Sequence, residues 1–396
     1  MTIDWRSKGF WLPDGERTPE QIAGDRPSIF GGGFTWPLLV VRGSAVEANI
    51  ATMAAYCRRH GFDFAPHAKT TMAPGLLDAQ LRAGAWGMTV ATPNQALVLR
   101  RLGVRRVLIA NQVLDATALR WLAGETAAGW EVYFQVDSVA GVRSAGAAGR
   151  ARVLVELGHP GGRTGVRTVD ELLEVARAAA ATPGVEPVGI TGYEGQIPDR
   201  AEVDAYLDRL AEGFHRLSAA GLLPEDPIVS AGGSAWFDRV ADRLGGLAAR
   251  ARLILRSGAS VTHDDGFYRE RTPFVRMPEE GPLAAALEIW AQVLSAPEPG
   301  LALAGMGKRD APFDEGLPVP LEIRRADGRT APAAGLRVTR LNDHHAYLAV
   351  APEATIAPGD LVRFGISHPC TAFDKWRDIP VVDDDRRVVD VLHTYF

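Results

Sequence analysis

From about residue 64 to residue 255 the chain repeats one pattern. A short apolar run is followed by a polar or glycine-containing turn, then by a stretch with apolar positions three and four apart. The short runs fall at Phe64–Pro66, Gly87–Val90, Val107–Ala110, Glu131–Val136, Val153–Leu157, Pro187–Thr191, Pro227–Ser230 and Leu253–Leu255. Between them lie amphipathic, Ala- and Leu-rich stretches whose spacing predicts helices. Thr168 and Glu171 stand at capping-box spacing ahead of Leu172, Val175, Ala176 and Ala179, which predicts a helix start. Ser44 and Glu47 have the same spacing ahead of Val46, Ile50, Met53, Ala54 and Cys57, which predicts another and makes Cys57 a core residue. Eight buried strands alternating with helices predict a (β/α)8 barrel. A doubly wound open sheet is the structural rival, and the count of eight favours the barrel.

Beyond about residue 265 the rhythm changes to short alternating segments among Gly and Pro: Pro320–Ile323, Gly335–Arg340, Tyr347–Val350 and Leu361–Gly365. These predict an antiparallel β-domain. The Trp- and Gly-rich opening segment, with an expected flexible run at Phe30–Phe34 and a strand at Leu38–Val41, is expected to join it. The expected fold is therefore α/β, a barrel over 42–262 with a second, mainly antiparallel β-domain from 1–41 plus 263–396. No internal repeat is visible.

Composition narrows the function classes. The 396 residues carry a formal net charge of −5, which offers no basic surface for nucleic acid or anionic lipid. No apolar run is long enough to span a bilayer, and the opening residues lack a signal-peptide core. The two cysteines, Cys57 and Cys370, imply no disulfide framework. A cytoplasmic protein is expected. Of 43 basic residues only four are lysines: Lys8, Lys69, Lys308 and Lys375. Where arginine has displaced lysine elsewhere, a retained lysine is a candidate amine, since arginine stays charged and is no practical nucleophile.

Barrel active sites form where strands run into the following helices. Lys69 follows the first barrel strand, in Pro66-His67-Ala68-Lys69-Thr70, and a partly desolvated lysine there can form a Schiff base with an aldehyde cofactor. Position alone suits an ordinary loop lysine equally. Glycine-rich turns end the last two strands, Gly232-Gly233-Ser234 and Arg256-Ser257-Gly258-Ala259-Ser260, where backbone N–H groups can approach a phosphate. Arg163, between glycines, can meet a cofactor phenolate or be a surface arginine. Tyr193, Glu194 and Gln196 end the sixth strand and line the same mouth or serve as plain loop residues. In Ser367-His368-Pro369-Cys370 the imidazole and thiolate stand two residues apart. In an extended segment they converge on one side, where they can hold a divalent metal, with zinc suited to that donor pair. His344 and His345 are weaker metal candidates.

Taken in order, Pro66–Thr70, Thr89–Thr92, Leu108–Asn111, Gly162–Val166, Gly192–Gly195 and Ser367–Cys370 resemble the D-serine dehydratase / D-threonine aldolase family, within the alanine-racemase-like pyridoxal-phosphate enzymes. The segment Phe373–Arg377 resembles members labelled amino acid deaminases. The resemblance implies that Lys69 carries pyridoxal 5′-phosphate, with His67, Tyr193 and Gln196 beside it, and that Arg163 faces its phenolic oxygen. It implies that the loops at Gly232, Gly233, Ser234, Gly258 and Ser260 hold the phosphate, that His368 and Cys370 hold the metal, and that the protein is a homodimer. Gln196 stands where many relatives have histidine, and His344 where many have an acidic residue.

The expected reaction is metal-assisted dehydration and deamination of a D-3-hydroxy amino acid, a small D-serine-like substrate, to a 2-oxo acid and ammonia. Lys69 takes the Cα proton, and the metal makes the β-hydroxyl a tolerable leaving group. A His-x-Cys pair is the form associated with the dehydratases and His-x-Asp with the aldolases. The alternative is a D-threonine-type aldolase giving glycine and an aldehyde. Racemisation, a non-catalytic pyridoxal-phosphate carrier and a cofactor-free phosphate-binding barrel are further readings.

Overall fold

The computed structural model describes residues 2–396. It divides into two compact units. One holds the chain up to Thr52, Thr70–Asp78 and Ala259–Phe396; the other holds Met53–Lys69 and Ala79–Gly258. The division departs from the 42–262 expectation because Thr70–Asp78 packs with the C-terminal chain. The Tyr395 N–H donates to Met72 O at 3.0 Å, and Ala73 and Leu76 share an apolar cluster with Leu392.

The chain opens with α1 (Pro19–Asp25), β1 (Leu38–Arg42) and α2 (Gly43–His60). The eight expected strands then follow as β2 (Asp63–Phe64), β3 (Met88–Val90), β4 (Arg106–Gln112), β5 (Glu131–Val136), β6 (Ala151–Leu157), β7 (Val185–Gly192), β8 (Ile228–Ala231) and β9 (Arg252–Leu255). All pair in parallel, in the order β2-β9-β8-β7-β6-β5-β4-β3. Trp86 N–H to Phe64 O at 2.8 Å and Thr89 N–H to Pro66 O at 3.0 Å, with a parallel bridge between His67 and Thr89, join the two ends. The sheet is a closed barrel.

The helices between the strands are α3 (Pro74–Arg82), α4 (Pro93–Arg101), α5 (Ala116–Ala127), α6 (Val139–Ala148), α7 (Val169–Ala181), α8 (Arg200–Ala219) and α9 (Phe237–Leu244). Thr92, Asp115, Ser138, Thr168 and Asp199 each accept a backbone N–H at a helix start. Caps of this kind end the βα turns and fix where each helix begins. Thr168 and Glu171 form the expected reciprocal capping box. Ser44 and Glu47 do not: α2 already begins at Gly43, and the Ser44 hydroxyl donates to Asp384 at 2.8 Å.

Inside the barrel, Ala65, Leu108, Tyr133, Leu154, Val188, Ile228 and Ile254 form one apolar cluster. Side chains two residues further along a strand face the same way. Gln135, Glu156, Ser230 and Arg256 stand two beyond Tyr133, Leu154, Ile228 and Ile254, and with Thr191 they make a buried polar layer at the strands' C-terminal ends. The barrel is thus dry at one level and polar at the next.

The other unit is a ten-stranded sheet. Its strands after the barrel are β10 (Leu287–Glu298), β11 (Leu301–Ala304), β12 (Val319–Arg324), β13 (Thr330–Pro332), β14 (Leu336–Leu341), β15 (Ala346–Val350), β16 (Leu361–Gly365), β17 (Asp378–Val382) and β18 (Val388–His393). Pairing is antiparallel except for β1 with β17. The run Phe30–Phe34, expected to be flexible, is anchored at both ends. Phe30 meets Trp290 edge-on at 5.0 Å, and Phe34 packs on Phe10 at 5.4 Å.

Candidate active site

Lys69 sits in a single helical turn, Ala68–Thr70, at the end of the segment that closes the barrel. It is half-buried. His67, two residues earlier, has its Nδ1 buried without a hydrogen-bond partner. Its pKa is driven well below the usual histidine value, first by burial and then by the charges of Lys69, Arg256 and Arg163. Those three cations act on one neutral imidazole, so they are gathered around the barrel mouth. The unpartnered His67 Nδ1 is available to a polar group bound beside Lys69.

Arg256, at the end of β9, is the buried member of the set. Its guanidinium donates to Thr191 Oγ1, to Ser230 Oγ at 3.1 Å and to Gly192 O at 2.7 Å. Burial lowers its pKa, while Glu194 and Glu156 oppose that. One side chain thereby ties the ends of β7, β8 and β9.

Glu194 is fully buried. Its carboxylate accepts the N–H of Gly232 at 3.1 Å and of Gly233 at 2.6 Å. These are two of the donors expected to meet a phosphate, so any phosphate here must use other groups of the turns. The hydroxyls of Ser234 and Ser257 lie 2.9 Å apart at the heads of those turns. Gly232 has φ +97, and a Cβ there would lie 2.4 Å from Leu255 Cδ2, so only glycine fits. Gly258 follows Ser257, and Ser260 lies buried in the turn Ala259–Val261 that opens the other unit's last segment.

Arg163 is exposed and stacks over the Tyr193 ring at 4.8 Å. Its loop is pinned immediately after it. Thr164 donates to Glu156 at 3.0 Å, and the Gly165 N–H donates to Asp137 at 3.0 Å. Glu156 also accepts from Gln112 at 2.7 Å, and burial raises its pKa against those bonds. Tyr193 is set by Tyr206, whose hydroxyl accepts the Tyr193 N–H at 2.9 Å and donates to Leu157 O at 2.7 Å. Gln196 is exposed on the same loop.

Glu156 and Arg256 were absent from the sequence-based candidates as chemical groups. Their signal was present: an ionisable residue closing an otherwise apolar strand, as in Val-Leu-Val-Glu-Leu and Leu-Ile-Leu-Arg.

In the other unit, His368 and Cys370 lie on a short turn after β16. The His368 Nδ1 is 2.8 Å from Asp314 Oδ2, and Thr371 donates to Asp314 Oδ1 at 2.7 Å. Burial works against protonation of His368, but the Cys370 thiol and the Asp314 carboxylate prevail and hold its pKa at about 9. Cys370 Sγ also lies 3.3 Å from Thr70 Oγ1. Among the described residues no group of three or more His, Cys, Asp or Glu is arranged to hold a metal ion. A cation held by His368 and Cys370 would have one imidazole and one thiolate as donors. His344 is instead 3.8 Å from Asp310 and exposed.

Two family models match the chain: the alanine racemase N-terminal domain over residues 41–244, and a putative serine dehydratase domain over residues 286–382. D-threonine aldolase from Arthrobacter sp. is 29% identical over 88% of this chain and 89% of its own length. The 3-hydroxy-D-aspartate aldolase of Paracoccus denitrificans (strain Pd 1222) is 28% identical over 71% and 74%. The solved D-threo-3-hydroxyaspartate dehydratase from Delftia sp. HT23 superposes with a TM-score of 0.71 at 23% identity, over 91% of this chain and 97% of that one. A cysteine-to-alanine mutant of such a dehydratase was solved in a metal-free form.

Proposed function

The chain belongs to the alanine racemase N-terminal-domain family, with a putative serine dehydratase domain after it; we propose that it is a pyridoxal-phosphate-dependent lyase acting on D-3-hydroxy amino acids. The reaction is elimination of water from a D-serine-like substrate, followed by hydrolysis that takes up one water and releases ammonia, leaving a 2-oxo acid. The observation that carries this reading is the His368–Cys370 pair, one imidazole and one thiol on a single turn.

Pyridoxal phosphate supplies an aldehyde to take up the substrate amine and a ring to draw electrons from Cα. A divalent cation, zinc being suited to the donors, supplies Lewis acidity toward the β-hydroxyl. The remaining work falls to the chain. Lys69 Nζ would hold the cofactor and would be the base for the Cα proton. Ser234, Ser257, Gly258 and Ser260 offer donors to the phosphate, while Gly232 and Gly233 shape the turn. Arg163, stacked on Tyr193, would meet the cofactor's phenolic oxygen, and His67 and Gln196 would lie beside it, as the family resemblance implies. His368 and Cys370 hold the cation.

Retro-aldol cleavage to glycine and an aldehyde is the second reading, favoured by the two relatives that are named aldolases. A homodimer belongs to the proposal through the family resemblance. A cytoplasmic setting is proposed from the two-cysteine composition; no described helix is long and apolar enough to cross a membrane.

Borohydride reduction of cofactor-loaded protein, followed by peptide mapping, tests the assignment of Lys69. The pyridoxyl mass is expected on Lys69; its appearance on Lys8, Lys308 or Lys375 instead would refute it.

A further inference from the structure

The loop between β11 and β12 grips the His-x-Cys turn at three places. Gly316 O accepts from Ser367 Oγ at 2.7 Å, Asp314 Oδ2 meets His368 Nδ1 at 2.8 Å, and Asp314 Oδ1 accepts from Thr371 Oγ1 at 2.7 Å. One carboxylate therefore touches residues on both sides of Cys370. An ionised carboxylate only accepts, so the shared proton lies on His368 Nδ1. In the neutral ring the lone pair is then on Nε2. The rings of Phe267 and Tyr268, each 6.0 Å from the imidazole, restrict its tilt.

We propose that Asp314 is the positioning residue of this pair, fixing the His368 tautomer and ring direction so that Nε2 and the Cys370 thiolate are presented together to a divalent cation. The inference rests on the reading of His368 and Cys370 as metal donors. Carboxylates behind a ligating imidazole characteristically set its orientation and basicity, and their loss weakens metal binding about 10–100-fold. Asp314 is itself no donor to the cation, because it occupies the opposite nitrogen. It is half-exposed, so its removal is not expected to unfold the turn.

The test is Co2+ titration of metal-stripped, cofactor-loaded protein, read by the thiolate-to-cobalt charge-transfer absorption and by equilibrium dialysis. Asp314→Ala is expected to weaken Co2+ binding about 10–100-fold and to diminish the charge-transfer band. Asp314→Asn, whose amide oxygen still accepts from Nδ1–H, is expected to recover most of the affinity. Asp314→Leu gives the same comparison if Asp314→Ala melts early. Binding and absorption unchanged in Asp314→Ala would overturn the positioning role alone, as would Asp314→Asn proving as weak as Asp314→Ala. Wild-type protein that binds no Co2+, or His368→Ala and Cys370→Ala variants that bind it normally, would overturn the metal reading beneath it.

Discussion

Thr70 Oγ1 and Cys370 Sγ lie 3.3 Å apart, so the residue next to Lys69 in sequence touches one half of the His-x-Cys pair. A hydroxyl donating to a thiolate stabilises it, with a net worth of about 1 kcal/mol. Thr70→Val removes this contact and is therefore expected to change the alkylation rate of Cys370 in metal-free protein about fivefold. Cys57 serves as the internal control. It is buried, and its pKa is pushed to about 12 by burial and by Asp63, so it should stay unlabelled while the protein is folded. An unchanged Cys370 rate in Thr70→Val would mean that the threonine only fills space.

Glu194 is the keystone of the glycine turn after β8, with both oxygens committed to backbone N–H groups. Glu194→Ala leaves two buried donors unmet and removes a charge that opposes the burial of Arg256. The expected loss is about 3 kcal/mol of stability, with Glu194→Gln losing less because one acceptor remains. Urea unfolding of the cofactor-free variants checks this. The same variants should retain pyridoxal phosphate poorly, since the turn they loosen carries Ser234.

Asp264 gives a pH dependence with a defined sign. Burial raises its pKa from 3.8 to about 6, despite N–H bonds from Gly266 and Tyr268. One oxygen, Oδ2, is buried without a partner. A carboxyl whose folded pKa is raised prefers its proton in the folded state. It therefore costs stability progressively as pH rises from 3.8 through about 6. Asp264→Asn should stabilise the protein at pH 7 by about 2–3 kcal/mol and by almost nothing near pH 3.5. Melting temperatures of the two proteins across that range decide it; a pH-independent difference would contradict the assignment.

The barrel was legible because a count of eight buried strands alternating with helices favours closure over an open doubly wound sheet, and each strand run carried its own apolar signature. The β-unit was half-legible. Pro320–Ile323 and Leu361–Gly365 alternate visibly, whereas β10 (Leu-Glu-Ile-Trp-Ala-Gln-Val-Leu) is buried on both faces at its start and shows no clean alternation. The strands β17 and β18 flank the charged turn Asp383–Arg387, which hides their pairing. In the site, Lys69 was found through the rarity of lysine, and His368 with Cys370 through spacing. Glu194 looked like a loop residue because nothing local tells that a side chain will cap a turn 38 positions onward. The same holds for Asp314, whose partners lie 54 and 57 residues away.

The central claim is metal-assisted dehydration, and product analysis tests it most directly. Cofactor-loaded protein would be incubated with D-serine, D-threonine and D-threo-3-hydroxyaspartate, with and without a chelator. The account predicts ammonia and a 2-oxo acid in equal amounts from at least one of them, lost with the chelator and restored by divalent metal. Glycine and an aldehyde in place of those products would contradict it.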